Sequence, residues 1–252
     1  MELTLTTFLI VCPLIFLGSF IDAIGGGGAL ITLPAYLMAG VPVHMAIGTN
    51  KISSVTGVSI SAWRLCRNKY VDYKLAVPTI PASLAGSAIG AHLALMVSES
   101  IMKLLLLVIL PVTAFYVFKH KKMDAKKSEI STRKKYLIVT AAAFLIGGYD
   151  GFYGPGTGTF LLLTYTGLAG MDVRIASGNV KLVNLASNIS AVLTFLLNGK
   201  VLLLLGLTAS VFSIAGQYIG SGMVMKNGDK IVRPVILIVL VILFIKIIMD
   251  YF

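Results

Sequence analysis

The sequence predicts an all-α membrane protein built from two similar halves. Hydrophobic residues make up 57% of the 252 residues and charged residues only 12%, about half the charged share of a soluble domain. Glycine clusters interrupt two of the longest apolar stretches. The chain also matches itself when it is shifted by 130 residues. These three observations indicate membrane-spanning helices, two broken helices and an internal duplication.

Basic residues outnumber acidic ones by 21 to 10, which gives a net charge of +11 at pH 7. Such a charge can indicate a nucleic-acid partner, but here the Lys and Arg residues lie in gaps between long apolar runs. The chain has only one Trp, so little accompanies the basic residues that could stack on bases. We therefore expect no nucleic acid, and we expect the lipid bilayer to surround the chain.

Six segments have the length and apolarity of membrane-spanning helices. A full crossing needs roughly 20 mostly apolar residues, because the hydrocarbon core is about 30 Å thick. Two further apolar regions, 5–39 and 136–169, are too long for one straight span, and a glycine cluster interrupts each of them. We expect each of these regions to form a broken helical hairpin. The six predicted spans are 45–62, 76–97, 102–118, 175–197, 201–225 and 232–249.

The two halves match without gaps from the glycine clusters to the end of the following spans. The match joins rare residues as well as apolar ones: Gly26 with Gly156, Gly28 with Gly158, Lys51 with Lys181 and Asn68 with Asn198. Chance similarity between apolar segments would not align such residues, so we infer a duplication. It predicts a first membrane repeat over 1–118, a linker over 119–135 and a second repeat over 136–252. Each repeat holds one glycine-broken hairpin and three transmembrane helices.

The charge of the linker predicts the orientation of the repeats. Residues 119–135 include eight Lys or Arg and two acidic residues, so the linker is expected in the cytoplasm. It acts as a solvated tether, with contact to anionic lipid as the alternative. If each broken hairpin returns to the side it entered, each repeat crosses three times and the repeats are inverted. This arrangement places more Lys and Arg inside than a parallel one, so we expect inverted repeats with both termini outside; the parallel arrangement remains the alternative.

The two glycine clusters are candidate anion sites. Non-helical backbone inside a membrane must be buried in protein or line a cavity, because lipid cannot bond its amides. The helix that follows each cluster presents free N–H groups and the positive end of its dipole. Close helix packing or a plain kink is the alternative role of these glycines. The candidate residues are Gly25, Gly26, Gly27 and Gly28 in the first cluster and Gly154, Gly156, Thr157 and Gly158 in the second.

One pair of lysines inside predicted spans occupies equivalent positions of the two halves. Lys51 and Lys181 each fall six residues into an apolar segment. A lysine buried in lipid is unfavourable by roughly 2.5–3.5 kcal/mol even on the lenient insertion scale, so such residues usually face a cavity or a partner. Snorkelling to the head-group region is the alternative. The polar neighbours that would share a substrate site are Thr49 and Asn50 in the first half and Asn179 and Asn184 in the second.

Asp22 and Asp150 each precede a glycine cluster. Three roles are open to them: they cap the following helix, they balance the charge of the lysines, or they carry a proton during transport. The sequence contains no paired-carboxylate stretch, no His-Glu-x-x-His motif and no Gly-x-Ser-x-Gly elbow. We therefore expect no enzymatic activity, no cofactor and no metal site.

Four stretches together resemble the sulfite exporter family of the TauE/SafE type. They are GGGGALITLP from Gly25, AIGTNK from Ala46, GPGTGTF from Gly154 and ASGNVK from Ala176. The resemblance implies a multi-pass permease of the prokaryotic cytoplasmic membrane that moves small sulfur-containing or organic anions, often outward. Asn50 and Lys51 match the family's motif directly. In the second half Val180 separates Asn179 from Lys181, so which amide of this half faces the substrate stays open.

The residues and the resemblance together predict a secondary transporter of a small anion. An anion channel and a non-transporting membrane-embedded subunit are the two alternative functions. A homo-oligomer is compatible with the sequence, which identifies neither the substrate, the coupling ion nor the oligomeric state.

Overall fold

A computed structural model describes residues 3–102, 130–227 and 231. In these ranges the chain forms α-helices joined by short connections. The helices are α1 (Leu5–Gly25), α2 (Ala29–Met38), α3 (Val43–Arg67), α4 (Tyr73–Met96), α5 (Thr132–Phe152), α6 (Thr157–Leu163), α7 (Val173–Leu197) and α8 (Leu203–Asn227). A short π-helical segment, Thr164–Leu168, continues α6.

The all-helical membrane architecture agrees with the sequence prediction. Four helices, α1, α4, α7 and α8, are long and apolar enough to cross a membrane. The predicted span 45–62 lies inside α3, which has 25 residues but a lower apolar content. The predicted spans 76–97, 175–197 and 201–225 correspond to α4, α7 and α8. The predicted spans 102–118 and 232–249 and most of the linker 119–135 lie outside the described residues.

Large apolar side chains cover the outside of several helices. Leu5 on α1 is 76% exposed and Val77 on α4 is 72% exposed, and further exposed Leu, Ile and Val residues lie on α8. In water such a continuous apolar surface would be an association site, whereas in a membrane it contacts lipid. This surface is consistent with a protein that spans the bilayer several times.

Both expected helix breaks are present. The α1 helix ends at Gly25, and α2 begins at Ala29. The return of α2 along α1 is seen in the close contact of Gly18 with Thr32, where a methyl group on Gly18 would overlap the Thr32 side chain. In the second half α5 ends at Phe152 and α6 begins at Thr157. Glycines in the left-handed region make these bends, with φ of 74° and 81° in the first break and 101° and 85° in the second. Only glycine adopts these angles without strain, so the clusters locate the breaks.

Glycines also bring helices of the two halves into direct backbone contact. A methyl group on Gly90 of α4 would overlap the carbonyl of Gly148 on α5. In the same way, a methyl group on Gly220 of α8 would lie 2.6 Å from the carbonyl oxygen of Phe20 on α1. Small residues allow such close approach of membrane helices. As a result, α1 lies against α8 and α5 lies against α4.

Candidate substrate-binding site

The two helix breaks meet inside the helix bundle. A methyl group on Gly26 would overlap Gly158 and the amide of Thr159. The Thr159 hydroxyl donates a 3.0 Å hydrogen bond to the carbonyl of Gly25. The breaks are therefore in backbone contact with each other, and protein rather than lipid surrounds their irregular backbone.

Lys51 of α3 forms a buried ion pair with Asp150 of α5. The Lys51 Nζ atom lies 2.9 Å from Asp150 Oδ1, and the two side chains are only 3% and 6% exposed. The hydroxyl of Ser187 on α7 donates a 2.6 Å hydrogen bond to the second carboxylate oxygen, Oδ2. The Asp150 carboxylate is thus held from two helices. Gly154 lies beside the pair, since its Cβ would be 3.1 Å from Lys51 Nζ.

Lys181 of α7 forms the corresponding pair with Asp22 of α1. Its Nζ atom lies 2.7 Å from Asp22 Oδ2 and also donates a 2.6 Å hydrogen bond to the backbone carbonyl of Asp22. The Gln217 amide on α8 donates a 2.8 Å hydrogen bond to the same Oδ2 atom. The amide of Gly28 lies 3.4 Å from Asp22 Oδ1. Asp22 therefore both balances a lysine and makes a long cap contact to the start of α2.

A polar cavity lies where the breaks and the ion pairs come together. About 40 Å³ of it is accessible to the centres of water-sized molecules. One water needs roughly 10–15 Å³ by this measure, so the cavity can hold more than one. Three charged side chains line it: Lys51, Asp22 and Asp150. The predicted site residues that also line it are Gly27, Gly28, Asn50, Gly154, Thr157, Gly158 and Asn184.

The other predicted site residues lie outside the cavity wall. Lys181 is bonded to the lining residue Asp22 but does not line the cavity itself. The Thr49 hydroxyl accepts a 2.9 Å hydrogen bond from the amide of Leu202. The Asn179 amide donates to the carbonyl of Ile175 in its own helix. Gly25, Gly26 and Gly156 shape the breaks but do not line the cavity. These residues support the site rather than form its surface.

Several polar groups of the cavity residues have no partner among the described residues. The side-chain oxygens of Asn50, Asn184 and Gln217 are buried and accept no hydrogen bond. The backbone amides of Gly27 and Gly158 donate no hydrogen bond within the described ranges. Buried polar groups without partners are rare in proteins, and their concentration here is typical of a binding site.

Gln217 is the principal residue that the motifs did not indicate. It is the only glutamine in the chain, it is 2% exposed, and its position in an apolar segment is the signal that could have identified it. Ser213 and Asn188 also line the cavity, and no motif surrounds them. Ser54, a hydroxyl-bearing residue on the same helix as Lys51, lines it too.

Helices of membrane-spanning length around a charged cavity at paired helix breaks are typical of secondary transporters. Comparison with known proteins agrees with this class. Residues 11–247 match the family described as Sulfite exporter TauE/SafE, and the chain belongs to that family. It is therefore a multi-pass membrane transporter and not an enzyme, and the resemblance predicted from the motifs is confirmed.

Three relatives cover nearly the whole chain. A Sinorhizobium protein named "Probable membrane transporter protein ORF9" is 36% identical over 93% of this chain and 90% of its own length. A Haemophilus influenzae protein named "Probable membrane transporter protein" is 35% identical over 93% of this chain and 92% of its own. The Escherichia coli K12 protein named "Probable membrane transporter protein YfcA" is 32% identical over 93% and 87%, respectively. No solved structure matches the chain.

Proposed function

We propose that the protein is a secondary transporter that exports small sulfur-containing or organic anions across the cytoplasmic membrane. The observation that carries this proposal is the buried cavity at the contact of the two helix breaks. Its wall offers hydrogen-bond donors that suit an anion: the Lys51 ammonium and the amides of Gly27 and Gly158. Membership of the TauE/SafE family supports sulfur-containing anions as the first substrates to test.

The charges around the cavity favour joint movement of an anion and a proton. The two lysines and two aspartates balance, so an anion that enters adds one uncompensated negative charge to a buried site. Such a charge is strongly unfavourable unless it is paired. Protonation of Asp22 or Asp150 would offset one negative charge, and protonation of Asp150 would also release Lys51 to the anion. Proton coupling through these aspartates is therefore part of the proposal.

We further propose that the chain consists of two inverted repeats. Three contacts between the halves each occur twice, the second time with the two halves exchanged, which supports an approximate twofold relation. The matching contacts are Lys51–Asp150 and Lys181–Asp22, Gly48–Lys200 and Gly178–Tyr70, and Gly86–Phe144 and Gly216–Phe16. The helices α3 and α7 begin 130 residues apart, at Val43 and Val173. The return of α2 along α1 favours three crossings per repeat, and therefore inversion.

Transport by purified protein in liposomes tests the proposed function. Vesicles loaded with sulfite, sulfate, thiosulfate, methanesulfonate or acetate are diluted into buffer with a trace of the same labelled anion. A transporter gives saturable counterflow of at least one of these anions. Conductance that does not saturate would identify a channel, and the absence of any flux would overturn the proposal.

A matched pair of variants links the flux to the cavity. Lys51→Met removes the ammonium that lines the cavity, whereas Lys69→Met makes the same chemical change in the exposed α3–α4 connection. We expect Lys51→Met to abolish counterflow and Lys69→Met to retain it. Equal flux in both variants, at equal amounts of folded protein, would remove Lys51 from the mechanism.

A further inference from the structure

We infer that the two equivalent lysines have different roles: Lys51 contacts the transported anion, and Lys181 is a positioning residue that holds the first helix break. The inference rests on the proposed function and refines it. Sequence symmetry alone would give the two lysines the same role, because they occupy matching positions in the two halves. Their surroundings in the structure differ in three respects.

The first difference is access to the cavity. Lys51 lines the cavity, together with Gly154, whose lack of a side chain leaves space beside the ammonium group. Lys181 does not line it and contacts the cavity residue Asp22. An anion in the cavity can therefore reach the Lys51 ammonium, whereas it meets the Asp22 carboxylate before it reaches Lys181.

The second difference is the number of acceptors that each ammonium group already has. Lys181 Nζ bonds both a carboxylate oxygen and the backbone carbonyl of Asp22, at 2.7 Å and 2.6 Å. Lys51 Nζ has one acceptor among the described residues, Asp150 Oδ1 at 2.9 Å. Since an ammonium group has three N–H donors, Lys51 retains donors for an incoming anion.

The third difference is what happens if the lysine leaves its aspartate. Each carboxylate keeps a hydrogen bond when its lysine leaves, Asp150 from Ser187 and Asp22 from Gln217, so the difference lies in the backbone. The Asp22 carbonyl lies in the last turn of α1 and also accepts the amide hydrogen of Gly26, the first residue of the break. Release of Lys181 would therefore loosen the bend itself. Lys181 is suited to fix the backbone that presents Gly27 and Gly28 to the cavity.

Two charge-neutral double variants test this division of roles in the full-length protein. Lys51→Met with Asp150→Asn, and Lys181→Met with Asp22→Asn, each remove one buried pair without leaving an unpaired charge. Binding is measured by titration with the anion that stabilises the wild type most among sulfite, sulfate, thiosulfate, methanesulfonate and acetate. Thermal unfolding without anion is recorded for both double variants and for the single Lys→Met variants.

The expected result is a loss of affinity in the double variant that lacks Lys51 and a loss of stability in the double variant that lacks Lys181, because both single Lys→Met variants leave an unpaired aspartate. Removal of the Lys51 pair lowers anion affinity by about ten- to hundredfold, the range for one hydrogen bond to a charged group. Removal of the Lys181 pair lowers it by less than about threefold. Lys181→Met alone lowers the unfolding temperature, and the added Asp22→Asn restores it only in part, because the bond from Lys181 to the Asp22 carbonyl stays lost.

The outcomes separate this inference from the proposed function. Equal losses of affinity in the two double variants, or retained affinity without Lys51, would overturn the division of roles. If the Lys181 double variant fails to fold, Lys181→Arg is measured instead, because Arg keeps donors for both Asp22 oxygens. A tenfold loss of affinity in Lys181→Arg would also overturn the division of roles. Absence of saturable binding in the wild type would instead contradict the proposed function.

Discussion

At the scale of single residues, the site depends on charges that are buried in pairs. Each lysine of one half meets an aspartate of the other half, and three of the four side chains are almost fully buried. Removal of one partner from a buried pair typically lowers stability by about 3–5 kcal/mol, because the remaining charge is left uncompensated. Single substitutions of these residues therefore need a measurement of folding beside any measurement of transport.

Gly154 is expected to be essential for the geometry of the Lys51–Asp150 pair. Its φ is 101°, and a Cβ would lie 3.0 Å from Asp150 Oδ1 and 3.1 Å from Lys51 Nζ. Gly154→Ala should abolish anion counterflow and lower stability by about 1–3 kcal/mol. Gly40→Ala is the matched control, because Gly40 also has a positive φ, of 78°, but a Cβ there meets nothing within 4 Å. Equal loss of counterflow in both variants would show that backbone strain alone matters.

Proton coupling predicts a pH change inside liposomes when an anion leaves. The anion of a strong acid, such as sulfate or methanesulfonate, is suitable because it carries no proton itself. Efflux together with a proton should make the lumen more alkaline, as reported by a trapped pH-sensitive dye. Asp150→Asn and Asp22→Asn are tested separately, and the variant that lacks the proton-carrying carboxylate should show no pH change. If the wild type releases the anion without any pH change, the aspartates have only a structural role.

The sequence identified the charged residues of the site but not their pairing. Rare lysines and aspartates in apolar segments are conspicuous, and the glycine clusters located the breaks. The offset of 130 residues aligns Asp22 with Phe152, however, and the second break is two residues longer than the first between its aspartate and its last glycine. The equivalence of Asp22 and Asp150 therefore becomes visible only through their contacts with Lys181 and Lys51. Gln217 escaped notice because no motif surrounds it.

At the scale of helices, backbone contact between α4 and α5 depends on glycine at defined positions. A methyl group on Gly90 would overlap the Gly148 carbonyl, whereas one on Gly148 would lie no closer than 3.3 Å to its neighbours. We expect Gly90→Ala to lower stability by about 1–3 kcal/mol through overpacking. Gly148→Ala should be neutral, since alanine also favours the helix by up to about 1 kcal/mol. Thermal unfolding in detergent measures both, and similar values would contradict the assigned contact.

Helix positions were predictable because each follows from local patterns. The length of the apolar segments predicted α4, α7 and α8, and the glycine clusters predicted the positions of both breaks. The extra turn of α3 and its polar content reflect burial among other helices, which a hydropathy pattern does not register. Asp72 and Asp172 cap α4 and α7 through side-chain bonds to backbone amides, and these caps extend the helices beyond the apolar segments. The π-helical segment after α6 has no sequence signal that we can name.

At the scale of the whole molecule, the proposed inverted arrangement predicts opposite locations for equivalent connections. Asn68 after α3 and Asn198 after α7 are both exposed and lie 130 residues apart. In a variant without Cys12 and Cys66, Asn68→Cys should react with a membrane-impermeant maleimide only from the cytoplasmic side. Asn198→Cys should react only from the outside. Labelling of both from the same side would establish parallel repeats instead.

The exchange of contacts between the halves also determines how the chain can mature during synthesis. During synthesis, Lys51 and the glycines of α4 are made before their neighbours on α5. These neighbours are Asp150, which pairs with Lys51, and Gly148, which contacts Gly90 of α4. A ribosome-bound intermediate therefore holds an unpaired ammonium group and an open helix groove until α5 inserts. Each separated half would lack the counter-charge that its own lysine requires, so we expect neither half to fold stably alone.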